Sequence, residues 1–91
     1  MTNPSLKNPR WSREQIRAAR LAELAPLLEK RGLVLRERGG GNFEVEPYKG
    51  LLVKASYWRW PERGLAGNTI DFYMQVLGLS FHDAMREITG A

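Results

Sequence analysis

Four arginines near the start of the chain, Arg10, Arg13, Arg17 and Arg20, recur at spacings of three, four and three. On a helix that begins early enough, this spacing sets all four on one face. Guanidinium groups in such a row can neutralise successive phosphates, giving salt-sensitive contact that is largely blind to base sequence. The outer face of an amphipathic helix has the same pattern. The arginines stand out because Glu14 is the one acid close to them. A second constellation is Tyr57-Trp58-Arg59-Trp60, which interleaves aromatic rings with a cation as single-strand binders do to stack bases. Strand alternation divides it, with Trp58 and Trp60 on one face and Tyr57 and Arg59 on the other. If both indoles turn into a core, Tyr57 and Arg59, joined by Lys54 and Lys49, are the candidates for nucleic-acid contact.

Residue types that could carry catalysis do not assemble into a motif. His82 stands beside Asp83 with no second His and no Cys, and reads as a surface residue at a helix start. Asp71 fits the first turn of a helix, where a negative charge is favoured. Glu44, Glu46 and Glu62 lack metal-ligand spacing. The Gly-rich run Arg36–Asn42 does not lead from a strand into a helix, so it is not expected to cradle phosphates. No nucleophile–base pair is found. The chain is not expected to be an enzyme or to hold a cofactor.

These groups must be positioned by one small domain, since 91 residues leave no room for two cores. No apolar run approaches the roughly 20 residues that cross a bilayer, so no membrane partner is expected. The first ten residues lack the apolar stretch of a secretory signal. Without cysteine there is neither a disulfide nor a thiolate metal site, which fits a cytoplasmic protein. The net charge of +4 is concentrated in residues 1–20, where five cations face one acid; the rest of the chain is neutral. Any polyanion should therefore meet the protein at its N-terminal end.

Residues 1–10, with Pro4 and Pro9, read as a flexible basic arm, and 11–91 as a single domain. Ser12 and Gln15 form a capping-box pattern. The spacing of Leu21, Leu24, Ala25 and Leu28 predicts a helix towards Arg31 with one buried face, kinked or restarted at Pro26 and stopped at Gly32. Residues 33–38 and 42–46 flank a triple glycine and predict a hairpin, in which Arg36 opposite Glu44 accounts for the charges as a cross-strand pair. A second antiparallel pair follows, Leu51–Ala55 and Ser56–Trp60, ended by Pro61. Gly64–Gly67 reads as a loop. Asn68 or Thr69 caps a helix whose buried face is Ile70, Tyr73, Met74 and Leu77, and Ser80 with Asp83 opens a last helix buried through Phe81, Ala84, Met85 and Ile88. The expected fold is α+β: a small antiparallel sheet of four strands flanked by an N-terminal helix and two C-terminal helices.

Gly67, Asn68, Ile70, Asp71 and Phe72, followed by Gly78, Ser80, Phe81 and Ala84, together with this order of elements, resemble the end of the zinc-binding ribbon domain of bacterial DNA primases. The resemblance spans roughly residues 21–90 and is most specific in its last third. It implies a ribbon fold that contributes to recognition of template DNA. The family's four metal ligands fall at Glu46, Lys49, Trp60 and Arg63, and Lys, Trp and Arg offer zinc no usable lone pair. The pattern is similar to zinc-less primase-type domains of relaxases and of plasmid and other mobile-element proteins. In that reading Trp60 fills the vacated volume and Glu46 pairs with Arg63 across the old site. The expected function is that of a non-catalytic accessory that binds DNA, single strands above all, in replication or mobilisation of a plasmid, phage or other mobile element. The rival reading is a protein–protein module or inhibitor that docks on a primase, helicase or polymerase through Tyr57, Tyr73 and Trp11.

Overall fold

The computed structural model describes residues 11–91; Arg10 and the arm expected over 1–10 lie outside the described residues. Five antiparallel strands follow one another in simple order: β1 (Val34–Gly39), β2 (Asn42–Glu46), β3 (Leu52–Lys54), β4 (Tyr57–Trp60) and β5 (Leu65–Asn68). Two helices precede the sheet, α1 (Arg13–Leu21) and α2 (Leu24–Lys30). Two follow it, α3 (Thr69–Asp71) with its π-helical continuation (Phe72–Val76), and α4 (Phe81–Thr89). The class is α+β, as the sequence pattern predicts.

Three local expectations are corrected. The N-terminal segment restarts as a second helix, one of the two expected outcomes, but the break falls at Ala22 and Glu23, which are extended, rather than at Pro26. Pro26 lies in the first turn of α2, where its missing N–H has no intrahelical partner to lose. Tertiary bonds fix the break. The buried Thr69 hydroxyl donates to the Ala22 carbonyl (2.5 Å), and the Leu24 N–H donates to the Ala55 carbonyl (2.9 Å). The face expected to run from Leu21 to Leu28 is therefore split: Leu24 and Leu28 are buried, while Leu21 is 65% exposed.

Gly64–Gly67 is not a loop, because Leu65–Asn68 forms a fifth strand that pairs with β4 from Trp60 opposite Leu65 to Tyr57 opposite Asn68. A 3-10 turn over Pro61–Arg63, closed by Gly64 at φ +67°, reverses the chain so that it returns alongside β4. The third correction concerns the face of the helix after β5. Asn68 and Asp71 form a reciprocal capping box at its start. The ladder then widens, with the Leu77 N–H bonded to the Phe72 carbonyl five residues back (3.2 Å). Ile70 and Tyr73 are buried as expected, but with the inserted residue the face shifts so that Phe72 is buried as well and Met74 is exposed.

The core lies between one side of the sheet and the helices. Val45, Leu51, Val53 and Trp58 meet Leu24, Leu28, Phe72, Tyr73 and Ala84, and each large side chain contributes about 1.5–3 kcal/mol by its burial. The Trp58 ring meets the Phe72 ring edge-on at 5.6 Å, and its indole N–H donates to the Asn68 carbonyl (2.8 Å). A smaller cluster of Ala19, Ile70 and Met85, flanked by Trp11, Ile16, Phe81 and Ile88, seats α1 on α3 and α4. Among the described residues no helix is long and apolar enough to cross a membrane.

Candidate nucleic-acid interface

Directly opposed residues of an antiparallel pair share a face of the sheet. Trp58 opposes Gly67 and Val53, and Val53 opposes Phe43, so this series faces the core. The alternate series faces outward: Tyr57 opposes Lys54, Arg59 opposes Leu52, Leu52 opposes Glu44, and Glu44 opposes Arg36. Tyr57 is 53% exposed, and Lys54 and Arg59 are exposed beside it. The structure thus divides the four-residue aromatic run as strand alternation predicts, with Trp58 inward and Tyr57 and Arg59 on the open face.

Charge on that face is uneven. Arg36 and Glu44 are backbone partners, but their side chains do not pair as expected. The long arginines reach the diagonal neighbour across the twisted hairpin, so Arg36 binds Glu46 and Arg38 binds Glu44. The hydrogen bond from Arg38, helped by the Gly50 N–H at 3.0 Å, holds the Glu44 carboxyl below its ordinary pKa, and the bond to Glu46 raises Arg36. These pairs leave the β1–β2 half neutral. Lys54 and Arg59 on the β3–β4 half make no ion pair among the described residues. Lys49 lies at the other end of β3 from Lys54, in a hollow with Arg36, Arg38, Glu44, Glu46 and Pro47, and is not brought to Tyr57.

On α1, Arg13, Arg17 and Arg20 are exposed and line one shallow hollow with Glu14 and Ile16, so three of the four spaced arginines share a flank as expected. Arg10 lies outside the described residues. The three arginines make no ion pair among those residues. Residues 1–10 contain no Asp or Glu that could neutralise them.

Of Glu46, Lys49, Trp60 and Arg63, the positions that the resemblance sets against the family's metal ligands, three converge. Trp60 is half-buried, meets the Tyr48 ring edge-on at 5.5 Å, and donates its indole N–H to the Lys49 carbonyl (3.0 Å). The Arg63 guanidinium lies 4.8 Å from the Trp60 ring centre, a cation–π contact. The expected Glu46–Arg63 pair does not form: Glu46 faces the open side and is held by Arg36, while Arg63 covers the indole. Among the described residues no three His, Cys, Asp or Glu side chains gather as a metal site.

The anchors of the docking reading fare unevenly. Tyr73 is fully buried, and Trp11 is half-buried against His82, donating to its Nδ1 (3.3 Å), so of the three only Tyr57 presents a free surface. His82 is exposed, as the sequence predicts, but it serves as the resting place of Trp11, a partner 71 positions away that no local pattern reveals. Leu21 is a surface residue that the helical pattern misassigns to the core. No family model, curated protein or solved structure matches the chain.

Proposed function

We propose that the protein is a non-catalytic DNA-binding accessory domain that prefers single strands and acts in the cytoplasm, in replication or mobilisation of a plasmid, phage or other mobile element. The observation that carries this reading is the open half-face of the sheet, where Tyr57 lies opposite Lys54 and two residues from Arg59 and neither cation has an acidic partner among the described residues. An exposed ring beside such cations suits a flexible strand, whose bases stack while its phosphates meet the charges. The likeness of residues 67–84 to the primase ribbon domain supports the same choice of partner, and the replication setting rests on that likeness alone. In this reading Trp60, Tyr48 and Arg63, which pack together, stand in for the metal at the corner that the likeness assigns to it.

The test is a fluorescence-anisotropy titration with a labelled single strand at two salt concentrations. Binding should be clear at low salt, weaken steeply at high salt, and weaken when Tyr57 and Arg59 are replaced together by alanine. A flat titration at low salt would overturn the reading in favour of a domain that docks on a replication protein.

A further inference from the structure

The break between α1 and α2 and the turn before β4 are fastened together. The Thr69 hydroxyl lies 2.5 Å from the Ala22 carbonyl and 3.5 Å from the Ser56 carbonyl, and the Leu24 N–H bonds the neighbouring Ala55 carbonyl. Leu21 and Tyr57 are the residues immediately beside this joint, one on each chain segment, and they are the two most exposed large apolar side chains apart from Val34. A single exposed leucine needs no explanation. Two large apolar groups at one joint, with cations that make no ion pair among the described residues on either side, form a pattern: Arg20 precedes Leu21, and Lys54 is the direct cross-strand partner of Tyr57.

We infer that this joint is the centre of the nucleic-acid site, with Leu21 and Tyr57 receiving bases of a single strand that passes from the sheet onto α1. The inference rests on the DNA-binding reading and goes beyond it by assigning Leu21 a role and giving the strand a path. Arg59 and Lys54 hold the backbone on the sheet side, and Arg20, Arg17 and Arg13 continue the contact along the helix. A strand bent over the joint turns its bases to the apolar pair and keeps its phosphates near cations on both sides. Glu23, exposed, next to Ala22 and lining the same hollow as Lys54, opposes the strand there.

Leu21 is mostly exposed, so Leu21→Ala should leave the circular-dichroism spectrum and melting temperature unchanged. The experiment measures affinity for labelled oligothymidylate at low salt for wild type, Leu21→Ala, Glu23→Gln, Tyr57→Ala and Arg59→Ala. Leu21→Ala should weaken binding roughly three- to tenfold, as expected for loss of one base contact, while Glu23→Gln strengthens it. If Leu21→Ala and Glu23→Gln both bind like wild type while Tyr57→Ala and Arg59→Ala bind weakly, the strand stays on the sheet and the inference fails alone. If wild type binds no strand, the DNA-binding reading fails with it. A length series gives a second, independent arm. Replacing Arg13 and Arg17 by glutamine should weaken long strands and spare the shortest strand that binds, whereas equal weakening of both would exclude the proposed path.

Discussion

The Tyr73 hydroxyl is buried without a hydrogen-bond partner among the described residues, although Arg31 and Glu87 line the same hollow and engage one another instead. Burial, reinforced by the Glu87 charge, pushes its pKa up to about 12. The folded state therefore keeps a proton that the unfolded chain gives up near pH 10. That contribution to stability is complete below pH 10 and is lost as the pH rises towards 12, at most roughly 3 kcal/mol. Tyr73→Phe removes both the unpaired hydroxyl and its titration. Urea melts should show the variant equal to wild type or about 1 kcal/mol more stable at neutral pH, with a smaller loss between pH 10 and 12. Glu44 has the opposite sign. Its lowered carboxyl favours the folded state above the ordinary carboxylate range, and that contribution fades as the pH falls through it. Glu44→Gln should therefore flatten the acid side of the stability profile, and an unaltered profile would show that the Arg38 contact has no energetic weight in solution.

The start of the helix after β5 depends on a glycine that packs against its cap. A Cβ on Gly67 would lie 2.5 Å from the Asp71 carboxylate oxygen, which accepts the Asn68 N–H in the capping box. Gly67→Ala should therefore cost about 2 kcal/mol, combining the lost cap with a local clash, and differential scanning calorimetry should show the lowered melting temperature. At the far corner of the sheet, Trp60→Ala should cost about 2 kcal/mol, less than for a fully buried indole, because the ring is half-exposed yet joins Tyr48, Lys49 and Arg63. Unchanged melting would remove the case for Trp60 as the metal's replacement. These two positions also mark what the sequence reveals. The hairpins, the inward turn of Trp58, the outward turn of Tyr57 and Arg59, the Ser12–Gln15 and Ser80 caps, and a cap at Asn68 or Thr69 follow from period-two alternation and local capping chemistry, which act over a few residues. Strand β5 was hidden because a backbone ladder needs no side-chain period, and its glycine reads as a loop. The break at Ala22 was hidden because a threonine 47 positions away sets it. That one misplacement also concealed Leu21, the site residue that no local pattern exposes.

At the scale of the whole molecule, the cations assigned to the site lie on two elements that are fastened together at one joint. Arg13, Arg17 and Arg20 lie on α1, while Lys54 and Arg59 lie on the sheet; the remaining sheet arginines, Arg36 and Arg38, are neutralised by Glu46 and Glu44. Counting only cations without acidic partners, a strand that engages both elements meets five charges and releases the counterions that those phosphates held. For single strands the logarithm of affinity then falls against the logarithm of salt with a slope of about −3.5, and a strand held by the sheet alone gives about −1.4. Measured slopes therefore count the contacts independently of their strength. Replacing Arg13, Arg17 and Arg20 by glutamine should bring the first slope to the second, while Tyr57→Ala should lower affinity at every salt concentration and leave the slope unchanged, because a stacked ring releases no counterion. A slope that Tyr57→Ala alters as much as the arginine replacements would mean that losing the ring dislodges the backbone, so that stacking and phosphate contact would be one coupled event at the joint.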